Sequence, residues 1–96
     1  MDKTQMHQTL LDELHRIYVC KNHDYGDSFG QTYEKLGIIS AITRISDKYN
    51  RLVSLTTNHL EAKVFDETIS DTLLDMANYC IMTVIEIMKE SQTQNE

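Results

Sequence analysis

Residues 66–79, DETISDTLLDMANY, are the stretch around which the rest of the chain is organised. Read as an α-helix, this stretch places Glu67, Asp71 and Asp75 one turn apart, with Asn78 three positions further on. At about 100° per residue, the four side chains share an arc of roughly 80°. The stretch continues into the apolar run CIMTVI at 80–85, which predicts a long helix packed on more than one side.

Two interpretations of the acidic row follow from this stretch. Carboxylates one turn apart repel each other, and a divalent cation would supply a counter-charge on a mostly buried helix. Alternatively, Asp66 is the helix N-cap and Glu67 complements the helix dipole, while Asp71 and Asp75 pair with arginines elsewhere. The row by itself favours neither metal ligation nor ordinary helix structure.

The composition predicts a single all-α domain. The chain has 96 residues, of which 41% are hydrophobic and 25% charged, as in ordinary globular proteins. Proline is absent and all three glycines lie between positions 26 and 37, which excludes a turn-rich β architecture. Three long helices bury their apolar faces incompletely when alone. We therefore expect a small bundle of three main helices, completed by homo-oligomerisation as a dimer or larger.

Charge and hydropathy exclude several partners. A net charge of −6 argues against binding to duplex nucleic acid. No apolar run approaches about 18 residues and no signal peptide is recognisable, so we expect no membrane partner and a cytoplasmic location. Cys20 and Cys80 lie within apolar helical patterns, and we expect them to be reduced core residues.

The predicted helices cover about 4–21, 31–56 and 66–90, joined by loops that include 57–65. Together they form one domain over 1–96, with a core from about 4 to 90 and a frayed polar tail at 91–96. The apolar residues expected to face the core are Met6, Leu10, Leu11, Leu14, Ile17 and Tyr18 in the first helix, and Ile38, Ala41, Ile42, Ile45, Tyr49, Leu52 and Val53 in the second.

The most polar connection is predicted at 21–30, KNHDYGDSFG. It offers a cation, an amide, an imidazole and two carboxylates within seven residues. Functional loops have such a composition, and so do ordinary turns. The third glycine, Gly37, is a weak point of the second predicted helix or a place of close packing.

A charged row on the second predicted helix also has two interpretations. Arg44, Asp47, Lys48 and Arg51 recur at three- and four-residue spacing. Opposite charges at this spacing are common on solvated faces and are worth about 0.3–0.5 kcal/mol per pair. Alternatively, the arginines bind phosphates, for which the guanidinium fork is well shaped.

Three blocks together resemble a known small domain: KN-x-DYG at 21–26, RISDK-x-NR at 44–51 and E-x-I-x-DTLLD-x-ANY at 67–79. Over roughly 10–88 the sequence resembles the first of the nucleotide modification associated domains, which is met mainly in bacteriophages and prophages. The resemblance implies a nucleotide ligand and, for a phage-encoded chain, the cytoplasm of the host.

At a greater distance the pattern resembles MazG and the dimeric dUTPases, which are all-α nucleoside triphosphate pyrophosphohydrolases. In that group, carboxylates from two adjacent helices hold Mg²⁺, and an activated water cleaves between the α and β phosphorus atoms. The resemblance implies that Glu67, Asp71 and Asp75 supply the second acidic helix. The Glu-Glu-x-x-Glu run of the first acidic helix is missing, since Glu34 stands alone and Asp47 follows 13 residues later.

The first functional hypothesis is a Mg²⁺-dependent enzyme that acts on a nucleoside triphosphate or a modified relative. Asp71 and Asp75 would be the catalytic residues, and Glu67, Asp71, Asp75 and Asp47 would bind the metal. Phosphoryl transfer chiefly requires positioning and charge neutralisation, which metal ions and cationic side chains supply.

The second hypothesis is a non-catalytic protein that sequesters a nucleotide signal of host defence, either a cyclic nucleotide or an ADP-ribose type. In this case Asp71 and Asp75 would pair with Arg44 and Arg51. The third hypothesis is a helical interaction protein without a ligand, which leaves the composition of 21–30 unexplained.

Both nucleotide hypotheses use the same ligand-binding residues. Cationic side chains would contact phosphate, tyrosines would stack on the base, and asparagines would orient ribose or water. These predicted residues are Lys21, Asn22, Asp24, Tyr25, Arg44, Lys48, Asn50, Arg51, Asn78 and Tyr79.

Overall fold

A computed structural model describes residues 1–57 and 62–95 of the chain, and describes side chains for 1–57 and 68–93. All regular structure in these ranges is helical, which confirms the predicted all-α class. The helices are α1 (Lys3–Tyr25), α2 (Ser28–Leu36), α3 (Ile38–Thr57) and α4 (Ala62–Asn95). None of these helices carries an apolar stretch long enough to cross a membrane.

The helix boundaries differ from the prediction at two glycines. Gly37 ends α2 with φ +73° and ψ −165°, so the predicted single helix over 31–56 is two helices. Gly26 ends α1 with φ +66°, and the residues 21–25 before it are helical instead of forming the predicted loop. Both glycines adopt a backbone conformation that is almost closed to residues with a Cβ atom. The connections α1–α2 and α2–α3 are therefore short and sharp.

We expect Gly37→Ala to lower the free energy of unfolding by about 1–3 kcal/mol, because alanine is strained at this φ and ψ. Urea unfolding followed by circular dichroism measures the change. Ser46→Ala, at an exposed position of α3, is the control and should alter stability by less than about 0.5 kcal/mol. Equal stability of the two variants would contradict the backbone conformation described at Gly37.

The final helix is longer than predicted at both ends. α4 begins at Ala62 instead of Asp66 and continues to Asn95, so most of the predicted tail 91–96 is helical. No proline or glycine follows residue 37, and the sequence offers no strong signal that would stop the helix near Glu90. Within the predicted loop 57–65, residues 58–61 lie outside the described residues.

The helices pack around α4. The most extensive contact is between α3 and α4, while α2 packs on both of them and α1 contacts α4. The buried apolar side chains among the described residues are Leu14 of α1, Tyr33 of α2 and Ala41 of α3. The helices therefore share a small core, and much of the apolar surface lies outside it.

Several residues predicted to be in the core are exposed instead. This set is Met6, Leu10, Leu11, Ile38, Ile42, Tyr49 and Val53. Cys20 and Cys80, also predicted as core residues, are exposed free thiols. The spacing of apolar residues indicates which side of each helix is apolar. It does not show whether another helix covers that side, and a single chain has too few helices to cover all of them.

Tyr33 anchors α2 and gives the fold a pH-dependent contribution to stability. Its side chain is 4% exposed, and burial raises the pKa of the phenol, with the carboxylates of Glu90 and Glu86 raising it further. The folded state therefore favours the neutral phenol. The contribution of this phenol to the free energy of unfolding is complete below about pH 10, the pKa of tyrosine in the unfolded chain. It is lost as the pH rises through the higher pKa that Tyr33 has in the folded chain.

We therefore expect the free energy of unfolding to fall above about pH 10, with a smaller fall in Tyr33→Phe. Urea unfolding between about pH 8 and 11 measures both curves. Tyr49→Phe, at a tyrosine that is 57% exposed, is the matched control and should retain the fall of the unmodified protein. An identical pH profile in Tyr33→Phe would show that the buried phenol is not the group responsible.

Candidate functional site

A cavity of about 180 Å³ lies where the end of α1, the start of α2, α3 and α4 meet. It brings together seven of the residues that the sequence predicted for a site. They are Lys21, Asn22 and Tyr25 from α1, Arg44 from α3, and Asp75, Asn78 and Tyr79 from α4. Three sequence blocks that lie far apart in the chain therefore line one cavity.

Other lining residues were not predicted as site residues. Tyr18, Phe29, Thr32, Ser40 and Met82 also border the cavity. Tyr18 was assigned to the core, but it shares a helix face with Lys21, Asn22 and Tyr25 at spacings of three, four and seven residues. That spacing would have identified Tyr18 if the sequence had indicated that α1 continues to Tyr25.

The start of α2 is fixed by a tight local arrangement. The Asp27 carboxylate accepts a hydrogen bond from the backbone N–H of Gly30 at 3.1 Å and so caps the helix. A methyl group on residue 30 would overlap this carboxylate, which would have to shift to make room for it. The cap positions Phe29 at the cavity wall.

Two contacts order the α4 side of the cavity. The rings of Phe29 and Tyr79 lie with centroids 5.9 Å apart and a tilt of 31°. Asn78 donates a hydrogen bond from Nδ2 to the backbone oxygen of Leu14 at 3.1 Å, which ties α4 to α1. Asn78 also borders the cavity.

A second, shallower recess adjoins the cavity. This groove, of about 560 Å³, runs along α3 and shares Arg44 and Tyr79 with the cavity. It is lined by four further predicted site residues, which are Asp47, Lys48, Asn50 and Arg51. The predicted residues are thus divided between an aromatic cavity and a charged groove with a common border.

Asp75 connects the cations of the two recesses. Its carboxylate accepts from Lys21 Nζ at 3.4 Å and from Lys48 Nζ at 3.3 Å. The sequence predicted arginine partners, but Arg51 Nε instead donates to Thr72 Oγ1 at 3.4 Å. Because the three side chains of the cluster are 27% to 59% exposed, each ion pair is worth no more than about 1 kcal/mol.

The predicted metal ligands are not assembled by the described residues. Asp47 and Asp71 are exposed on different helices, and Asp75 is paired with lysines. Among the side chains of 1–57 and 68–93, no three His, Cys, Asp or Glu residues are grouped so as to hold a metal ion. The side chain of Glu67 lies outside this described part, so Mg²⁺ binding stays a prediction.

Asp24 is the one predicted nucleotide-binding residue that borders neither recess. It is exposed near the end of α1, with Oδ1 3.4 Å from Nδ1 of the exposed His23. The helical extension of α1 to Tyr25 accounts for this position, since Asp24 is not on the face shared by Lys21, Asn22 and Tyr25.

The protein is thus a small all-α protein with a cavity lined by aromatic and cationic side chains. The chain belongs to the family of nucleotide modification associated domain 1, whose family model matches residues 21–87. Comparisons with curated proteins and with solved structures gave no match. The family match does not extend to the MazG-type pyrophosphohydrolases, and that more distant similarity stays a prediction.

Proposed function

We propose that this protein binds a phosphorylated nucleoside, with the base in the cavity and the phosphates along the groove. The observation that carries the proposal is the shared border of the two recesses. Arg44 and Tyr79 line both of them, so one ligand can contact aromatic rings at one end and cations at the other.

The cavity suits a base. Tyr18, Tyr25, Phe29 and Tyr79 border it, and aromatic stacking on a base is worth about 1–3 kcal/mol. Its volume of about 180 Å³ is below the roughly 300–1,000 Å³ of pockets that enclose a whole drug-sized ligand. A base with part of its sugar is therefore the portion enclosed, and the remainder extends outward.

The groove suits phosphates. Arg44, Lys48 and Arg51 line it, and a guanidinium group can form two parallel hydrogen bonds to phosphate oxygens. The chain carries a net charge of −6, so anion binding requires a local concentration of cations such as this one. Lys21 adds a further ammonium group at the cavity end, where Asp75 holds it.

The ion pairs of Asp75 favour binding without hydrolysis. Two ammonium groups lie within 3.4 Å of the carboxylate that a catalytic Mg²⁺ site would use. Their positive charges oppose a divalent cation at the same oxygens. A ligand held intact is what a sequestering protein requires, including one that removes a nucleotide signal of host defence.

A thermal-shift screen of mono-, di- and triphosphates, cyclic nucleotides and ADP-ribose, each with and without Mg²⁺, tests the proposal. Ligand at about 100 times its Kd adds about 2.7 kcal/mol of stability, which in a domain of this size raises Tm by roughly 10 °C or more. We expect at least one phosphorylated nucleoside to give this shift without Mg²⁺. Absence of a shift with every compound under both conditions would contradict the proposed function.

Chromatography of the ligand recovered after denaturation separates binding from catalysis. We expect the ligand to return chemically unchanged. Release of pyrophosphate that requires Mg²⁺ and is lost in Asp75→Asn, with the fold retained, would instead assign a hydrolase. In that case Asp71, Asp75, Asp47 and Glu67 would be examined as metal ligands.

A further inference from the structure

Helix α4 carries polar residues on its inner side and apolar residues on its outer side. The buried side chains that it turns toward the other helices include Thr72, Thr83 and Glu86. Its exposed large apolar side chains are Leu73, Ile81, Val84, Ile85, Ile87 and Met88, and we call this set the outer face of α4. A helix on the surface of a monomer normally has the reverse arrangement.

The outer face is continuous and uncharged. At about 100° per residue its six side chains fall within an arc of roughly 160°, on the side of the helix away from Thr72, Thr83 and Glu86. Each is 38% to 56% exposed. The two charged residues of α4 between positions 73 and 88, Asp75 and Glu86, lie outside this arc.

The chain exposes more surface than a folded monomer of its size. The surface area is 7450 Å², whereas a folded monomer of this size exposes about 5,700 Å². The excess of roughly 1,700 Å² exceeds the roughly 800 Å² that each partner contributes to a standard interface. The radius of gyration, 15.6 Å, is also larger than the about 12.5 Å expected for 96 residues.

We propose that the outer face of α4 docks against the same face of a second copy of this chain, related by a two-fold axis. A two-fold contact uses one patch on both partners, and an apolar face without charges is complementary to itself. The excess area is larger than one subunit's share of a standard interface, so it is enough for this contact. The inference is independent of the proposed nucleotide site, since Val84, Met88 and their neighbours on this face line neither recess.

Light scattering coupled to size exclusion tests the contact. We expect the full chain to have twice the mass of a single chain. Val84→Arg places a charge in the centre of the outer face and should reduce the mass to that of a single chain. Val53→Arg is the matched control, because Val53 lies on α3 with a similar exposure of 43% and should leave the mass unchanged.

The assignment to α4 would be overturned if the unmodified chain were a monomer, or if Val53→Arg dissociated the dimer and Val84→Arg did not.

Thiol labelling provides a test that needs no variant. Cys80 lies within the arc of the outer face, whereas Cys20 lies on α1, and both thiols are exposed in the single chain. Labelling of Cys80 should slow as protein concentration rises, with Cys20 unaffected. Equal, concentration-independent labelling of both would contradict the docked face.

Discussion

Replacing Arg44 with alanine is expected to weaken nucleotide binding by about 30-fold. Arg44 is the cation that lines both the cavity and the groove, so its loss affects the ligand where base and phosphates join. A hydrogen bond to a charged group contributes about 1.5–3 kcal/mol, and a loss of about 2 kcal/mol corresponds to 30-fold in Kd. Isothermal titration calorimetry with the nucleotide that gives the largest melting shift measures this effect.

Arg16→Ala provides the matched control for Arg44→Ala. Arg16 is 61% exposed on α1 and borders neither recess, and its guanidinium pairs with Glu13 at 2.6 Å. This hydrogen bond holds the pKa of the Glu13 carboxyl below its usual value. We expect the control to bind nucleotide as the unmodified chain does. Equal losses in the two variants would show that total charge, and not the position of Arg44, governs binding.

Leu14→Ala is expected to lower the free energy of unfolding by about 2–5 kcal/mol, the usual effect of truncating a buried leucine. Leu14 is 7% exposed, the only buried residue of α1, and its backbone oxygen accepts the hydrogen bond from Asn78. Since α1 carries Tyr18, Lys21 and Tyr25, loosening it should also weaken ligand binding. Urea unfolding and calorimetry at one protein concentration measure both effects.

Leu10→Ala is the control for Leu14→Ala, with the same substitution one turn earlier in α1. Leu10 is 49% exposed, so removal of its side-chain atoms leaves no enclosed cavity, and we expect a loss below about 1 kcal/mol. The proposed role of Leu14 would be refuted by similar losses in the two variants.

Much of the site could be predicted from the sequence because its residue types are unusual where they occur. The charged and aromatic residues at 21–25, 44–51 and 71–79 stood out against apolar helices, and seven of the predicted residues line one cavity. The family resemblance based on these blocks is confirmed by the match over 21–87. The residue types within each block therefore indicated which side chains line the same cavity.

The pairing of those residues could not be predicted in the same way. Asp75 pairs with Lys21 and Lys48 instead of arginines, since the partners depend on how α1 and α3 cross α4. Helical periodicity specifies a face but not the helix that covers it. For the same reason, apolar residues such as Ile42 and Val53 were assigned to a core although the single chain leaves them exposed.

The helix boundaries were predicted less well than the helix content. Gly37 was identified as a weak point, but the sequence could not show that its φ would be positive and that the helix would end there. Similarly, the polar composition of 21–25 suggested a loop, whereas backbone hydrogen bonding continues α1 to Tyr25. Tertiary packing decides such positions, because local propensities differ by less than about 1 kcal/mol per residue.

In the proposed complex one ligand occupies both recesses, with its base in the cavity and its phosphates in the groove. Calorimetric titration with a phosphorylated nucleoside and with the same nucleoside lacking phosphate shows whether both recesses are used. We predict that the phosphorylated form binds at least about tenfold more tightly and that this difference shrinks as salt increases, since the groove acts through charge. Equal affinity of the two compounds, or no binding of either, would contradict the proposed binding mode.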